Sequence, residues 1–168
     1  MKAAPALLCL IGFWAGLAHA QTQTQAPPEK KNWFDDPFFQ VSSGLAACPV
    51  PEGPLLTHDE ARAVEHWRVE RGTSCYQAGK CRLPNSYLYD KGLAAPVAAA
   101  LAAVPGVQTG SVWVTIQRRW VFLQGCVTTQ EQITALERAA QAVPDVEIVV
   151  PMLMIGTTDK PHYDVRQP

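Results

Sequence analysis

Hydrophobic positions are periodic between Leu93 and Ile155 and, apart from an apolar run near the start, irregular before it. Leu93, Val97, Leu101 and Val104 recur at helical spacing, with Pro96 early enough for a first turn, and predict a short helix ending before Pro105-Gly106. Val112, Val114 and Ile116 alternate with Trp113, Thr115 and Gln117. After Arg118-Arg119 a second alternating run from Trp120 to Gly125 completes a predicted β-hairpin. Arg-Arg lacks the Gly or Asn that a tight primed turn prefers, so a two-residue turn and a four-residue loop both fit, and both keep the same pairing parity. Thr128 with Glu131 reads as a capping box opening a helix whose inward row is Ile133, Leu136, Ala140 and Val143, closed by Pro144. Val146 to Ile155 is a last strand, apolar at both parities as in strands buried on both faces. The predicted order is helix, strand, strand, helix, strand: an α+β sandwich with both helices on one face of a three-stranded sheet.

The front of the chain has a different texture. Residues 21–32 are polar and low in complexity and read as a flexible lead-in. Residues 33–90 hold the clump WFDDPFF, many prolines and three cysteines, and read as a loop-rich extension with one helix. Thr57 and Glu60 cap that helix, which is expected to reach Arg71 and stop at Gly72. Its apolar positions are few, chiefly Ala61, Val64 and Trp67, so it is expected to be a thinly attached surface helix. The sandwich is placed at residues 91–156, and residues 157–168 read as a polar tail.

Composition narrows the function. Across 168 residues, 14 Lys+Arg face 15 Asp+Glu, which leaves no broad positive field for nucleic acid. Residues 1–20 have a basic start, an apolar run and Ala18-His19-Ala20, the pattern of a signal peptide cleaved after Ala20. The run is too short to span a bilayer, so no transmembrane span is expected after cleavage, and a periplasmic location follows. Four cysteines then remain, Cys48, Cys75, Cys81 and Cys126, and in an oxidising compartment two disulfides are expected. Their spacing suits neither a zinc site nor a C-x-x-C redox motif, and no metal or cofactor is expected. An active site is not expected either. His58 and His66 lie apart on a charged helix, His162 is in the tail, and the adjacent Asp35 and Asp36 point away from each other.

Hairpin parity sharpens this. With Val112, Val114, Ile116, Val121, Leu123 and Gly125 toward the helices, the opposite face carries Trp113, Trp120 and Phe122, and Cys126 shares their parity. Leaving three aromatics in water forgoes about 1.5 to 3 kcal/mol each. Either residues 33–90 cover this face, tied by Cys48–Cys126 while Cys75–Cys81 closes a local loop, or Trp113, Trp120 and Phe122 beside Arg118 and Arg119 form a binding patch. In both cases the two arginines are expected to stay exposed.

Val104-Pro105-Gly106-Val107, the alternating Val112 and Val114, Leu123-x-Gly125-x-Val127, Ala139-Ala140 and Val143-x-x-Val146 together resemble the BON domain of exported bacterial proteins, in a single copy at about residues 93–155. The resemblance implies a small α/β sandwich, periplasmic or at the outer membrane, without catalysis, that binds phospholipid surfaces or protein partners. Arg118-Arg119 departs from the Gly-containing turn frequent in the family. Two functions follow as expectations: a non-catalytic module contacting anionic envelope phospholipid, or a small subunit of an envelope or secretion complex.

Overall fold

The computed structural model describes residues 28–167. The expected signal peptide and its cleavage site lie outside these residues, as does most of the lead-in at 21–32. At the end of that lead-in, Lys31 exchanges backbone hydrogen bonds with Leu56 at 3.0 Å.

One four-stranded sheet organises the described residues, in the order β1 (Phe38–Ser43), β2 (Ser111–Gln117), β3 (Trp120–Val127), β4 (Ile148–Ile155). The first two pairings are antiparallel and β3–β4 is parallel, so β3 and β4 are joined by a crossover helix. The expected three-stranded sheet is corrected by β1. Phe39 and Val41 point into the main core and Phe38 to the opposite face, an alternation too short to read between Pro37 and Gly44.

Helix α1 (His58–Gln77) opens on the Thr57–Glu60 capping box but does not stop at Gly72. A Cβ at Gly72 would fall 2.4 Å from the Asn85 side chain. This glycine therefore serves a close approach rather than a cap, and the helix runs on past Cys75. Only Ala61 and Gly72 are buried along α1. Helix α2 (Asp90–Ala102) starts earlier than expected, so Pro96 lies inside it rather than in its first turn. Helix α3 (Gln130–Gln141) is capped one residue later than expected, with Thr129 accepting from the Gln132 amide and Gln132 replacing Glu131.

α2 and α3 bury Leu93, Val97, Leu101, Leu136 and Ala140 against Val112, Val114, Ile116, Val121 and Leu123. Trp113 and Cys126 sit on the far side of the sheet in a second cluster with Cys48 and Met154. The disulfides join Cys48 to Cys126 and Cys75 to Cys81.

The cover on the far side is not the whole of residues 33–90. It is the loop after β1 together with the chain end. Ser111 Oγ both donates to and accepts from the Leu45 backbone at 2.9 Å. The Tyr163 hydroxyl donates to the Pro49 carbonyl at 2.8 Å, and Glu52 N donates to Asp164 O at 2.8 Å. Burial pushes the Tyr163 hydroxyl up to about 12. The segment expected to be a polar tail is polar in composition, yet Tyr163 is buried and its hydroxyl lies 3.9 Å from Cys48 Sγ of the second cluster.

Candidate functional site at the hairpin tip and the uncovered half of the sheet

The β2–β3 hairpin turns in two residues. Gln117 pairs with Trp120, and Arg118 and Arg119 both take positive φ, 48° and 71°. This is the backbone of a primed turn, which side chains other than Gly, Asn and Asp adopt at a cost. Asp90, the first residue of α2, offsets that cost. Its carboxylate accepts from Arg118 N at 2.6 Å and from Arg119 N at 2.7 Å. Nothing local in the sequence marks Asp90 for this role, because its partners lie 28 and 29 residues away.

Asp90 is buried, and burial raises its pKa to about 6 against the two amides, which lower it. The folded state therefore holds this proton more tightly than the unfolded chain does, whose carboxyl titrates near 3.8. The resulting contribution to stability is complete below about pH 4 and lost as pH rises to about 6. Asp90→Asn should remove that slope: the stability difference between the native protein and the variant, followed by urea melts, should change across this window and be flat above it. A pH-independent difference would show that Asp90 does not titrate there. The variant should cost most at the acid end of this window, about 1 to 3 kcal/mol with one turn amide losing its acceptor, and less above it, where the native protein carries a buried charge that Asn does not.

The two arginines have opposite fates. The Arg119 side chain is only 14% exposed, which corrects the expectation that both stay in solvent. Its Nε donates to the Asp145 carbonyl at 2.7 Å, its Nη1 to Cys81 Sγ at 2.9 Å, and its guanidinium lies 5.0 Å from the Tyr89 ring centroid. Arg118 is half-buried, makes no ion pair among the described residues, and lies 4.2 Å over the Trp120 ring.

The aromatic residues divide in the same way. Trp113 is buried beside the Cys48–Cys126 disulfide and offers no binding surface. Trp120 and Phe122 are half-buried with ring centroids 6.4 Å apart. Register places Ile148 beside Trp120, Val150 beside Phe122 and Met152 beside Gln124 on the same outer face. Ile148 is 38% exposed, and Val150 and Met152 are half-buried. The apolar parity on this face of β4 therefore does not mean burial on both sides, as alternation had suggested: β4 is an edge strand whose outer face the cover does not reach. Pro151, in the middle of it, blunts that edge against a further strand. The face ends at a recess of about 600 Å³ lined by Gln124, Met152, Lys160, His162 and Tyr163.

Beside the tip, Asp36 accepts both Arg68 guanidinium nitrogens, at 2.9 and 2.6 Å, and the Gln117 amide at 2.7 Å. Arg68 is sandwiched between the rings of Phe34 and Tyr87, at 4.1 and 3.8 Å. This buried pair floors a cleft of about 490 Å³ rimmed by the exposed Val69 and Leu88. His58, His66 and His162 are exposed, and no group of three or more potential metal ligands occurs among the described residues. No described helix is long and apolar enough to cross a membrane.

Comparison with curated proteins and with solved structures finds no match. Comparison with protein families matches residues 89–156 to the BON domain. That span begins one residue before Asp90 and ends one residue after β4, and so takes in the clamped hairpin, both core helices and the half-covered strand pair. Residues 89–156 of this chain are a BON domain.

Proposed function

We propose that this protein is a non-catalytic binding module of the bacterial periplasm that lays the uncovered half of its sheet against anionic phospholipid. The BON family is associated with phospholipid and envelope binding. The observation that carries the reading is the continuity of Trp120, Phe122, Ile148, Val150 and Met152 on one face, with Arg118, which has no ion-pair partner among the described residues, at its tip. Aromatic rings beside a cation suit the headgroup level of a bilayer, where rings contact acyl chains and the guanidinium meets phosphate. The Trp120 indole nitrogen is buried without a hydrogen-bond partner among the described residues, a donor that an incoming oxygen would satisfy after a small ring movement.

Vesicle flotation tests this. The oxidised protein should float with phosphatidylglycerol vesicles at low salt and stay down with phosphatidylcholine. Arg118→Gln should weaken flotation about fivefold, as expected for one cation worth about 1 kcal/mol at an anionic surface. Trp120→Ala should weaken it further. Absence of the native protein from the floating fraction would overturn the lipid reading. A second reading, a small subunit of an envelope or secretion complex, is favoured by the apolar cleft between Val69 and Leu88, whose shape suits a protruding side chain better than a flat bilayer. Retained binding to anionic vesicles after Val69→Ser and Leu88→Ser would separate the two surfaces.

A further inference from the structure

The two disulfides sit in opposite surroundings. Cys48–Cys126 is buried, at 4% and 0% exposure, and the polar groups near Cys48 Sγ are the Pro49 and Ser111 carbonyls and the Tyr163 hydroxyl, none of them cationic. Cys75–Cys81 is half-exposed and closes a separation of only 6 residues. Its two sulfurs also differ from each other. Cys75 stands on the last turn of α1, while Cys81 packs with Leu83 against the main core. Of the two, Cys81 alone receives a charged donor among the described residues, the Arg119 guanidinium at 2.9 Å.

The groups around that contact leave the cation available. Among the described residues the one carboxylate in ion-pair range of the Arg119 guanidinium is Glu147, at 3.9 Å and 45% exposed. The Asp145 carboxylate is taken by Arg82, and Asp145 meets Arg119 through its carbonyl. Asp90 binds Arg119 through the backbone amide. Lys80, next to Cys81 in sequence, is exposed and adds positive charge. A thiolate formed at Cys81 would meet the Arg119 guanidinium that already donates to its sulfur, whereas no guanidinium or ammonium donates to the Cys75 sulfur among the described residues.

We propose that Cys75–Cys81 is a directed thiol-exchange site whose co-reactant is a dithiol. An external thiolate attacks Cys75 Sγ and forms a new S–S bond there. The bond to Cys81 breaks, and its electron pair leaves with Cys81 as a thiolate held by Arg119. The second thiolate of the dithiol then attacks its own partner sulfur in the mixed disulfide and releases Cys75. The dithiol gives up two protons and two electrons and ends as a disulfide; the protein takes both electrons, Cys75 takes one proton, and the other passes to solvent while Cys81 is the thiolate held by Arg119, or to Cys81 as pH falls. Direction comes from the leaving group: a sulfur with a lowered pKa leaves faster, and a neighbouring arginine lowers it. Cys48–Cys126 takes no part, because no thiol reaches it in the folded state. The proposal is independent of the lipid reading, since neither sulfur lies on the outer sheet face.

Reduced glutathione serves as a monothiol probe that traps the first step. The oxidised protein is exposed to it at pH 7, quenched with acid, alkylated and mapped by peptide mass. The expected product carries glutathione on Cys75 and the alkyl group on Cys81, with Cys48–Cys126 intact. Glutathione on Cys81, or opening of both disulfides at one rate, overturns the proposal. Two single-thiol variants supply a measurement that does not depend on exchange. In Cys75→Ser the alkylation rate of Cys81 should reach half its maximum below the ordinary thiol pKa of about 8.5, and in Cys81→Ser that of Cys75 should not. Adding Arg119→Gln to Cys75→Ser should slow Cys81 alkylation at pH 7 by about tenfold, the loss of thiolate that a one-unit rise in pKa produces. Equal profiles for Cys75 and Cys81, or no response to Arg119→Gln, would also overturn it.

Discussion

Replacing Cys48 and Cys126 together by alanine should destabilise the protein by about 4.5 kcal/mol, the chain-entropy value for a bridge that closes 78 residues. Few single features of a small domain are worth so much, against a typical total of about 5 to 15 kcal/mol. The structural reason is specific. The loop after β1 touches the outer face through Leu45 and Cys48, beside Phe38 of β1, and outside the bridge the hydrogen bonds that tie it to the BON domain are the Ser111–Leu45 pair and Gly44 N to Gly110 O, next to strand β1. Without the bridge these few contacts must hold the cover over Trp113. Urea melts followed by tryptophan fluorescence measure the loss, and Trp113 emission should shift to longer wavelength before the main transition. A change below about 1 kcal/mol would mean that Tyr163 and the chain end, rather than the disulfide, hold the cover in place.

The second large effect is expected at Gly125. In the middle of β3 its φ is 121°, and an added Cβ would lie 2.1 Å from the Ser111 carbonyl oxygen and 3.0 Å from the Trp113 ring. The first obstacle is backbone, so no side-chain rotation relieves it. Gly125→Ala should therefore cost about 3 kcal/mol or more, from backbone strain of about 1 to 3 kcal/mol with overpacking of similar size. The carbonyl that blocks the Cβ belongs to the residue whose hydroxyl holds Leu45, so the variant should loosen the cover as well as the hairpin. Thermal melting is the direct measurement. A variant that melts within a few degrees of the native protein would show that β2 and β3 separate there at little cost.

Gly125 also shows how far the chain can be read without its fold. A glycine at that step is visible in the sequence and matches the BON pattern, but why alanine is excluded depends on Ser111, fourteen positions earlier. The same division runs through the candidate site. Strand parity places Trp113, Trp120 and Phe122 together on one face, since alternation is a local property. Parity cannot say which of them is covered, and the three have different fates: Trp113 is buried in a cluster with Leu45 and Cys48 of the loop after β1, while Trp120 and Phe122 join Ile148, Val150 and Met152 at an uncovered edge. Arg118 and Arg119 look equivalent as a pair of charges, yet one lies over an indole ring and the other is bound among Asp145, Tyr89 and Cys81.

What the order of residues determined by itself is whatever rests on near neighbours: the helical spacing of the two core helices, the alternation of the hairpin, the capping residue of α1, and the shared parity of Cys126 with the outer face. Each follows from the 3.6-residue and two-residue repeats of the backbone, which need no distant partner. Tertiary structure decided what depends on groups meeting from far apart along the chain. It made β1 a fourth strand, clamped a strained arginine turn with the Asp90 carboxylate, and set Arg119 against one sulfur of Cys75–Cys81. It also left half of an apolar face open. Buried charges, strained turns and uncovered surfaces are settled by the sum of contacts around them, and no stretch of local sequence contains that sum.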